Sequence, residues 1–521
     1  MKEILEFIAK INSAVNSVVW GWPMIILILG TGILLTVRTK FLQVRKFGAS
    51  WNETIIPTLK SVGKKDKHGR RKENSISPFE AFATAISGTV GTGNIIGVTS
   101  AIMTGGPGAV FWMWISAFFG MVTNYSENVL GMYFRKKDYK GDFSGGPMYY
   151  LSEGIGRNAE GSAKNVLKTL GKILGVTAAV FCTFAAIGMS GVQTNKISAT
   201  FQSVIVGVDG KIVGLIVGII VAIVLALIIL GGIKSIGRVA SILVPFMSLI
   251  FIVMAIVIII ANVSVVGTAF GLIFKNIGTL PAVAGGIGGF AISEFMRVIQ
   301  KGLARGVFSN EAGLGSSVIA HSASATREPV KQGLWGIFEV FFDTFIVCTL
   351  TAIVVLVSLD LDVLYATDAS GALINTDTAM SMAAFSGLFG VFGKIVYSSF
   401  IPLFAFTTIL AWSYYGEKCV DFLFIKTGEK GRKIATTVFK VAYVLLVIVS
   451  AVIDGELAWA ISDTFNGLMA LPNLIGLVIM SGLVVKITKN YFDRKKGKDV
   501  APMLSAYPEQ NEEFAVDIKD E

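Results

Sequence analysis

Few residues in this chain can do chemistry, and those few sit in apolar surroundings. The run SGTVGTGNIIG, Ser87 to Gly97, puts four glycines, two threonines and an asparagine inside a hydrophobic segment. Such a stretch suits a potassium-filter-like loop, a glycine-rich phosphate loop, or a helix broken inside a membrane so that its backbone binds an ion or a zwitterion. Glu127, Glu294, Glu339 and Asp343 also lie within or at the edge of apolar segments, where an ionisable group is a functional candidate by default. Glu339 and Asp343 are one helical turn apart and could carry protons, whereas Glu294 has Arg297 within helical reach as a pairing partner. Catalytic chemistry is poorly served. Cys182, Cys348 and Cys419 show no CxxC spacing, and His68 and His321 are the only histidines, so neither a metal cluster nor a disulfide framework is expected.

The elements that must position these residues follow from composition. Hydrophobic residues make up 53% of the 521, charged residues 15%, and the mean hydropathy is +0.69, against about a quarter charged residues in a soluble chain. These values predict an all-α integral membrane protein in a lipid bilayer. Eleven apolar segments of about 20 residues or more lie between residues 17 and 486. The net charge of +10 reflects loops and tails rather than a nucleic-acid surface. Arg38 to Lys72 forms a strongly basic loop, which predicts a cytoplasmic side there and an N-terminus outside. Alternation then places Arg135 to Lys137, Arg297 to Arg305, Lys426 to Lys433 and the C-terminus in the cytoplasm. Residues 359 to 383, with four aspartates and no Lys or Arg, fall outside, as do 454 to 461.

Setting the first span aside leaves ten, two groups of five that enter the membrane from opposite sides. That is the arithmetic of an inverted repeat, in which the first helix of each half is discontinuous and binds its cargo through unwound backbone. The expected organisation is residues 1–37 as extracellular N-terminus and first helix, 38–80 as basic cytoplasmic loop, 81–262 and 263–488 as the two five-helix repeats, and 489–521 as a polar, disordered cytosolic tail. The first break is SGTVGTGNIIG and the second is expected in AVAGGIGGFAIS, at Gly285 to Gly289. A potassium filter would need four copies of its loop, and a phosphate loop a following Lys-Ser/Thr and a soluble strand. Neither condition is met.

The sequence resembles the alanine or glycine:cation symporter family. The likeness spans nearly the whole chain and rests on SGTVGTGNIIGV (87–98), GGPGAVFWMWISAFFGM (105–121), GGPMYY (145–150), RGVFSNEAGLGS (305–316) and LFAFTTILAWSYYGE (403–417). It implies a leucine-transporter type of fold, a small neutral amino acid as substrate (L-alanine, D-alanine or glycine), Na⁺ as the coupling ion with no other cofactor, and no obligate protein partner. A proton-coupled carrier is the alternative, an ion channel a more distant one.

A zwitterion needs donors for its carboxylate and acceptors for its ammonium, both costly to leave unpaired away from water. Amides near Thr92, Gly93 and Asn94, at the N-terminus of a half-helix, can face the carboxylate. Carbonyls around Phe290 and Ala291 can accept from the ammonium. By resemblance, Gln193 bonds the substrate, although Met189-Ser190 stands where the family pattern has Gly-Asn. Trp412, one turn after Thr408, is a bulky wall that would limit side-chain size. The hydroxyls of Thr407 and Thr408 offer the hard oxygen donors that Na⁺ prefers, completed by carbonyls near Ala85, Ile86 and Gly88. Arg305 and Glu311 are expected in a short cytoplasmic re-entrant piece that gates the inner path.

Overall fold

A computed structural model of the protein describes residues 2–61, 75–157, 159–205, 207–277, 289–368, 373–453 and 455–518. The chain is helical almost throughout. The elements used below are α1 (Lys2–Val19), α2 (Trp22–Arg38), α3 (Pro78–Thr89), α4 (Ile96–Gly105), α5 (Ala109–Tyr133), α6 (Ser162–Gln202), α7 (Gly210–Leu230), α8 (Gly232–Ala261), α9 (Val263–Lys275), α10 (Gly289–Asn310), α11 (Ser317–His321), α12 (Pro329–Ser358), α13 (Gly390–Leu423), α14 (Gly428–Ser450), α15 (Gly455–Lys495) and α16 (Pro508–Asp517).

Among the described residues, eight helical segments are long and apolar enough to cross a membrane, and a ninth is α3 with Thr92–Gly105, bent by 56° at its break. Two more helices stand where spans were expected. They have the length, 25 residues in α5 and 22 in α10, but not the apolarity: α5 carries Asn124, Ser126, Glu127 and Asn128, and α10 carries Arg297, Gln300, Lys301 and Arg305. Length and composition alone therefore do not reach eleven. The polar residues of α5 are buried, as bilayer-depth polar groups must be when they face protein rather than lipid. On α7, by contrast, Ile216, Ile220, Ile223 and Leu227 remain exposed at helical spacing, the pattern of a face meant for hydrocarbon.

Local sequence sets the helix ends that matter for the site. Ser77 and Glu80 form a capping box at the start of α3, Glu80 N–H donating to Ser77 Oγ at 3.1 Å and Ser77 N–H to Glu80 Oε2 at 2.8 Å. Pro78 follows as the first helical residue, where its missing N–H costs nothing. Within the first apolar segment, Glu6–Arg38, α1 exposes Phe7, Ile8, Ile11, Val15 and Val18 along one face. Its far end is tied to α15, Asn16 Nδ2 donating to Asp463 Oδ2 at 3.1 Å.

The tail is not the disordered extension that its composition suggested. Leu504 and Phe514 are fully buried against Phe143, and α16 docks on the loop after α5. Arg135, itself buried, donates to the carbonyls of Ser322 (3.2 Å), Ser324 (2.6 Å) and Thr326 (2.7 Å) while its guanidinium lies 4.1 Å from the centre of the Phe143 ring. Arg327 bonds Asp517 at 2.9 Å and sits 4.5 Å from the centre of the Phe514 ring. Truncating a buried Phe costs about 3–5 kcal/mol. Phe514→Ala should therefore expose the amides of residues 504–518 to hydrogen exchange while those of α13 stay protected, and unchanged protection of the tail would refute this anchoring.

Candidate functional site

The first break begins where α3 ends. Val90 leaves helical geometry at ψ 89°, and Gly91 N–H, which an unbroken helix would give to the Ser87 carbonyl, donates to Asn94 Oδ1 at 2.9 Å. The last carbonyls of α3 and the first amides of the turn Thr92–Asn94 thus lose their helical partners together. Backbone acceptors and donors released at one buried break are what a zwitterion or a cation needs.

Three elements close on this break. From α6, Gln193 Oε1 accepts from Thr92 Oγ1 at 2.8 Å, with Gln193 only 1% exposed. From α13, Thr408 comes so close that a Cβ added at Gly91 would lie 2.5 Å from Thr408 Oγ1; one added at Gly88 would lie 2.8 Å from Tyr415 Oη. From α10, the Phe308 ring lies 3.7 Å from the corresponding point on Gly93. Thr407 and Thr408 both donate to the Phe404 carbonyl at 3.0 Å. Their protons are spent on their own helix, and their lone pairs remain as acceptors. Adjacent helical residues point about 100° apart, and Thr407 accordingly also approaches Met247 Sδ at 3.6 Å while Thr408 faces Gly91. Ala85 and Gly88 are buried on the last turns of α3; Ile86 O is already bonded to Val90 N–H at 2.7 Å.

Gly285 to Gly288 lie outside the described residues, as do the side chains of Phe290, Ala291 and Glu294. The backbone of Phe290 and Ala291 falls in the first turn of α10. At 1.5 Å per residue, Ala291 stands about 25 Å along that helix from Phe308, so these two do not share the first break. The interruption among the described residues comes at the other end of α10, from Glu311 to Ser316, where Glu311 (φ 54°), Gly313 (φ 94°) and Gly315 (φ 77°) take left-handed geometry. This also corrects the expected re-entrant gate. Glu311 is buried and accepts from Trp412 Nε1 at 3.1 Å and from Ser316 Oγ, whereas Arg305 lies on a cavity of about 870 Å³ with Lys196, Asp377 and Trp459. Asp377 and Trp459 belong to segments expected outside, so Arg305 shares their end of the molecule and not that of Arg135.

A buried polar lattice, unforeseen in its details, joins the two breaks. Asn94 Nδ2 donates to Asp343 Oδ1 at 2.5 Å, and Asp343 Oδ2 accepts from Ser309 and Thr344, each at 2.8 Å. Asn473 bridges Glu127 Oε1 (2.5 Å) and the Gly313 carbonyl (2.8 Å). Asp343 reaches the site because α12 widens into a π-helical stretch, Phe341–Cys348, a distortion frequent at functional positions. Glu339 and Asp343 therefore point to different partners, the former to His321 at 2.7 Å. No cluster of three His, Cys, Asp or Glu side chains suited to a transition metal occurs among the described residues, and the three cysteines are free and buried.

Comparison with known proteins places this geometry. The family model for the sodium:alanine symporter family matches residues 5–505. A sodium/alanine symporter of Methanococcus maripaludis is 41% identical over 95% of this chain and 99% of its own. A probable sodium/glutamine symporter of Bacillus subtilis is 34% identical over 96% and 93%. Among solved structures, MhsT in complex with L-phenylalanine superposes with a TM-score of 0.52 at 14% identity, over 80% of this chain and 98% of that one, a likeness of fold of the leucine-transporter type. A broken membrane helix meeting a buried glutamine, a threonine pair and a second broken helix is thus found in a multi-pass membrane transporter, and the chain belongs to the sodium:alanine symporter family.

Proposed function

We propose that the protein is a Na⁺-coupled symporter that brings a small neutral amino acid, alanine or glycine, into the cell by alternating access. The contact that carries this reading is Thr92 Oγ1 to Gln193 Oε1 at 2.8 Å, which sets a side-chain amide beside the backbone amides of the break, of which Asn94 N–H is held only by the Gly91 carbonyl at 3.3 Å. The substrate carboxylate takes the Thr92, Gly93 and Asn94 amides, and Gln193 bonds the substrate. The ammonium takes carbonyls at the C-terminal end of α10, near Phe308, in place of Phe290 and Ala291. Trp412, fixed to Glu311, forms the wall that limits the substrate side chain. Na⁺ lies between the freed carbonyls at the end of α3, Gly88 with Ala85 behind it, and the hydroxyls of Thr407 and Thr408.

In this arrangement the ion draws α3 and α13 together, and the amino acid binds the break that this contact steadies. Two ligands that favour one state must raise each other's affinity by the same factor. Eleven spans in a five-plus-five inverted repeat, an outer N-terminus and a cytoplasmic C-terminus complete the proposal, supported by the basic loops at Arg38 to Lys72 and Arg494 to Lys498. Detergent-purified protein should bind alanine at least about tenfold more tightly in Na⁺ than in choline, a coupling typical of linked sites. Equal affinity in the two media would refute the shared-state mechanism.

A further inference from the structure

Beneath the second break lies a group the transport reading does not use. His321, at the end of α11, is fully buried and held from both sides: Nε2 is 2.7 Å from Glu339 Oε2 and Nδ1 is 2.6 Å from Gln332 Nε2. With the Gln332 amide donating to Nδ1, the ring is neutral and its proton sits on Nε2, donated to Glu339. Gln332 Oε1 and Glu339 Oε1 are both buried with no hydrogen-bond partner. Two unsatisfied acceptor oxygens beside one imidazole constitute a deficit of protons in a place where an unpaired polar atom is costly.

We propose that His321 is a proton-binding site whose occupancy fixes the inner half of the second broken helix to α12. A proton taken from the aqueous phase goes to Nδ1. The Gln332 amide turns over so that its free Oε1 accepts the new N–H, and the imidazolium then donates to the Glu339 carboxylate from Nε2. In the same turn the Gln332 Nε2–H gives up its bond to Nδ1, since glutamine can serve either form of the ring with one end or the other. The added charge makes the donor as well as the acceptor ionic, imidazolium to carboxylate, and so strengthens the bond between a short helix that follows the break and the neighbouring long one. Proton binding therefore holds α11 in place and slows the movement that releases substrate.

The other charged and titratable groups on the elements around α11 have partners of their own. On α3, Glu80 is bonded to the Ser77 amide; on α5, Glu127 is bonded to Asn473, and Arg135, which follows that helix, is bonded to three carbonyls. Glu311 in the break accepts from Trp412, Asp343 on α12 accepts from Asn94, and on α13 Glu417 pairs with Lys140 and Lys440. Tyr414 Oη and Tyr415 Oη, also on α13, are buried without a partner, but a phenol stays neutral across the range of interest. Glu339 is the one charged group bonded to His321.

The inference rests on the transport reading for its consequence but not for its first test. The chain has two histidines, so His68→Asn leaves His321 as the sole imidazole. Nitrogen-15 NMR of histidine-labelled His68→Asn protein in lipid should show one ring passing from the neutral Nε2–H form to imidazolium between pH 8 and pH 5.5. A ring that keeps one form throughout overturns the proposal, whether or not the protein transports alanine. In proteoliposomes, Na⁺-driven alanine uptake by the unaltered protein should slow about fivefold over the same range, the gain expected when the neutral donor of a hydrogen bond to a carboxylate becomes ionised. His321→Gln should flatten that profile, and a His321→Gln protein that keeps it overturns the proposal. If His321→Gln does not fold, Gln332→Leu takes its place: it removes the acceptor for imidazolium and should move the midpoint to lower pH, and an unmoved midpoint counts against the site. Absence of any uptake at pH 7.5 would sink the symport reading and leave the NMR result to decide the proton site.

Discussion

Gln193→Leu should raise the alanine concentration for half-maximal uptake about 10- to 100-fold while leaving the protein folded. A hydrogen bond to a charged group is worth about 1.5–3 kcal/mol, and each 1.4 kcal/mol is a factor of ten. Leucine has a similar size, so packing against the break survives while the acceptor for Thr92 Oγ1 disappears. Gln193→Glu is the informative companion. It keeps the acceptor but sets a negative charge where the substrate carboxylate is to bind, so it should be worse than leucine. Dose–response curves of labelled alanine uptake on size-checked protein would decide this. Near-normal half-saturation in both variants would place the substrate elsewhere.

Gly91→Ala should severely weaken Na⁺ activation. Its Cβ would fall 2.5 Å from Thr408 Oγ1, closer than side-chain carbons approach other atoms, so either Thr408 rotates or the break moves off α13. Both outcomes spread the proposed cation ligands apart. The expected result is a drop of more than about tenfold in uptake at saturating alanine, with the Na⁺ concentration for half activation shifted upward, as for loss of one hard-oxygen ligand geometry. Gly97→Ala supplies the control in the same run of glycines. Nothing lies within 4 Å of its added Cβ, and Ala in a helix is favoured over Gly by about 0.5–1 kcal/mol. Gly97→Ala should therefore transport normally with unchanged or slightly higher thermal stability. Equal damage from both substitutions would show that the run needs flexibility along its length rather than one close approach.

These particulars show what could be read from sequence. The membrane class and the first break were legible because hydropathy and glycine clustering are local signals. Gln193 and Thr408, 215 positions apart in the chain, could be assigned to one site only through family resemblance, and the structure brings both to Gly91. The second break was expected in the denser glycine cluster, of which Gly285 to Gly288 lie outside the described residues. The interruption seen among the described residues was not foreseen: it uses two left-handed glycines and a left-handed Glu311 whose carboxylate is held by Trp412 and Ser316. Stabilisation by side chains from distant helices leaves no local trace. For the same reason Arg305, grouped by charge with the basic loops, lies instead on a cavity with Asp377 and Trp459.

The tail failed in the opposite direction. Its composition is polar, yet Leu504 and Phe514 suffice to anchor it because Phe143, Arg135 and Arg327 are waiting for them. Complementarity between segments well over 100 residues apart is invisible to composition. The π-helical stretch in α12 is a third feature without a local signal: Glu339 and Asp343 stand one turn apart in sequence, and their partners are His321 and Asn94.

The central claim is that a Na⁺ gradient drives a small amino acid through this site. Its most direct test is uptake of labelled alanine into proteoliposomes under an inward Na⁺ gradient, an inward proton gradient, or none. The account predicts accumulation above the external concentration with the Na⁺ gradient only, and its loss in Gln193→Leu at sub-saturating alanine. Accumulation with the proton gradient alone, or none under either gradient with folded protein, would contradict it.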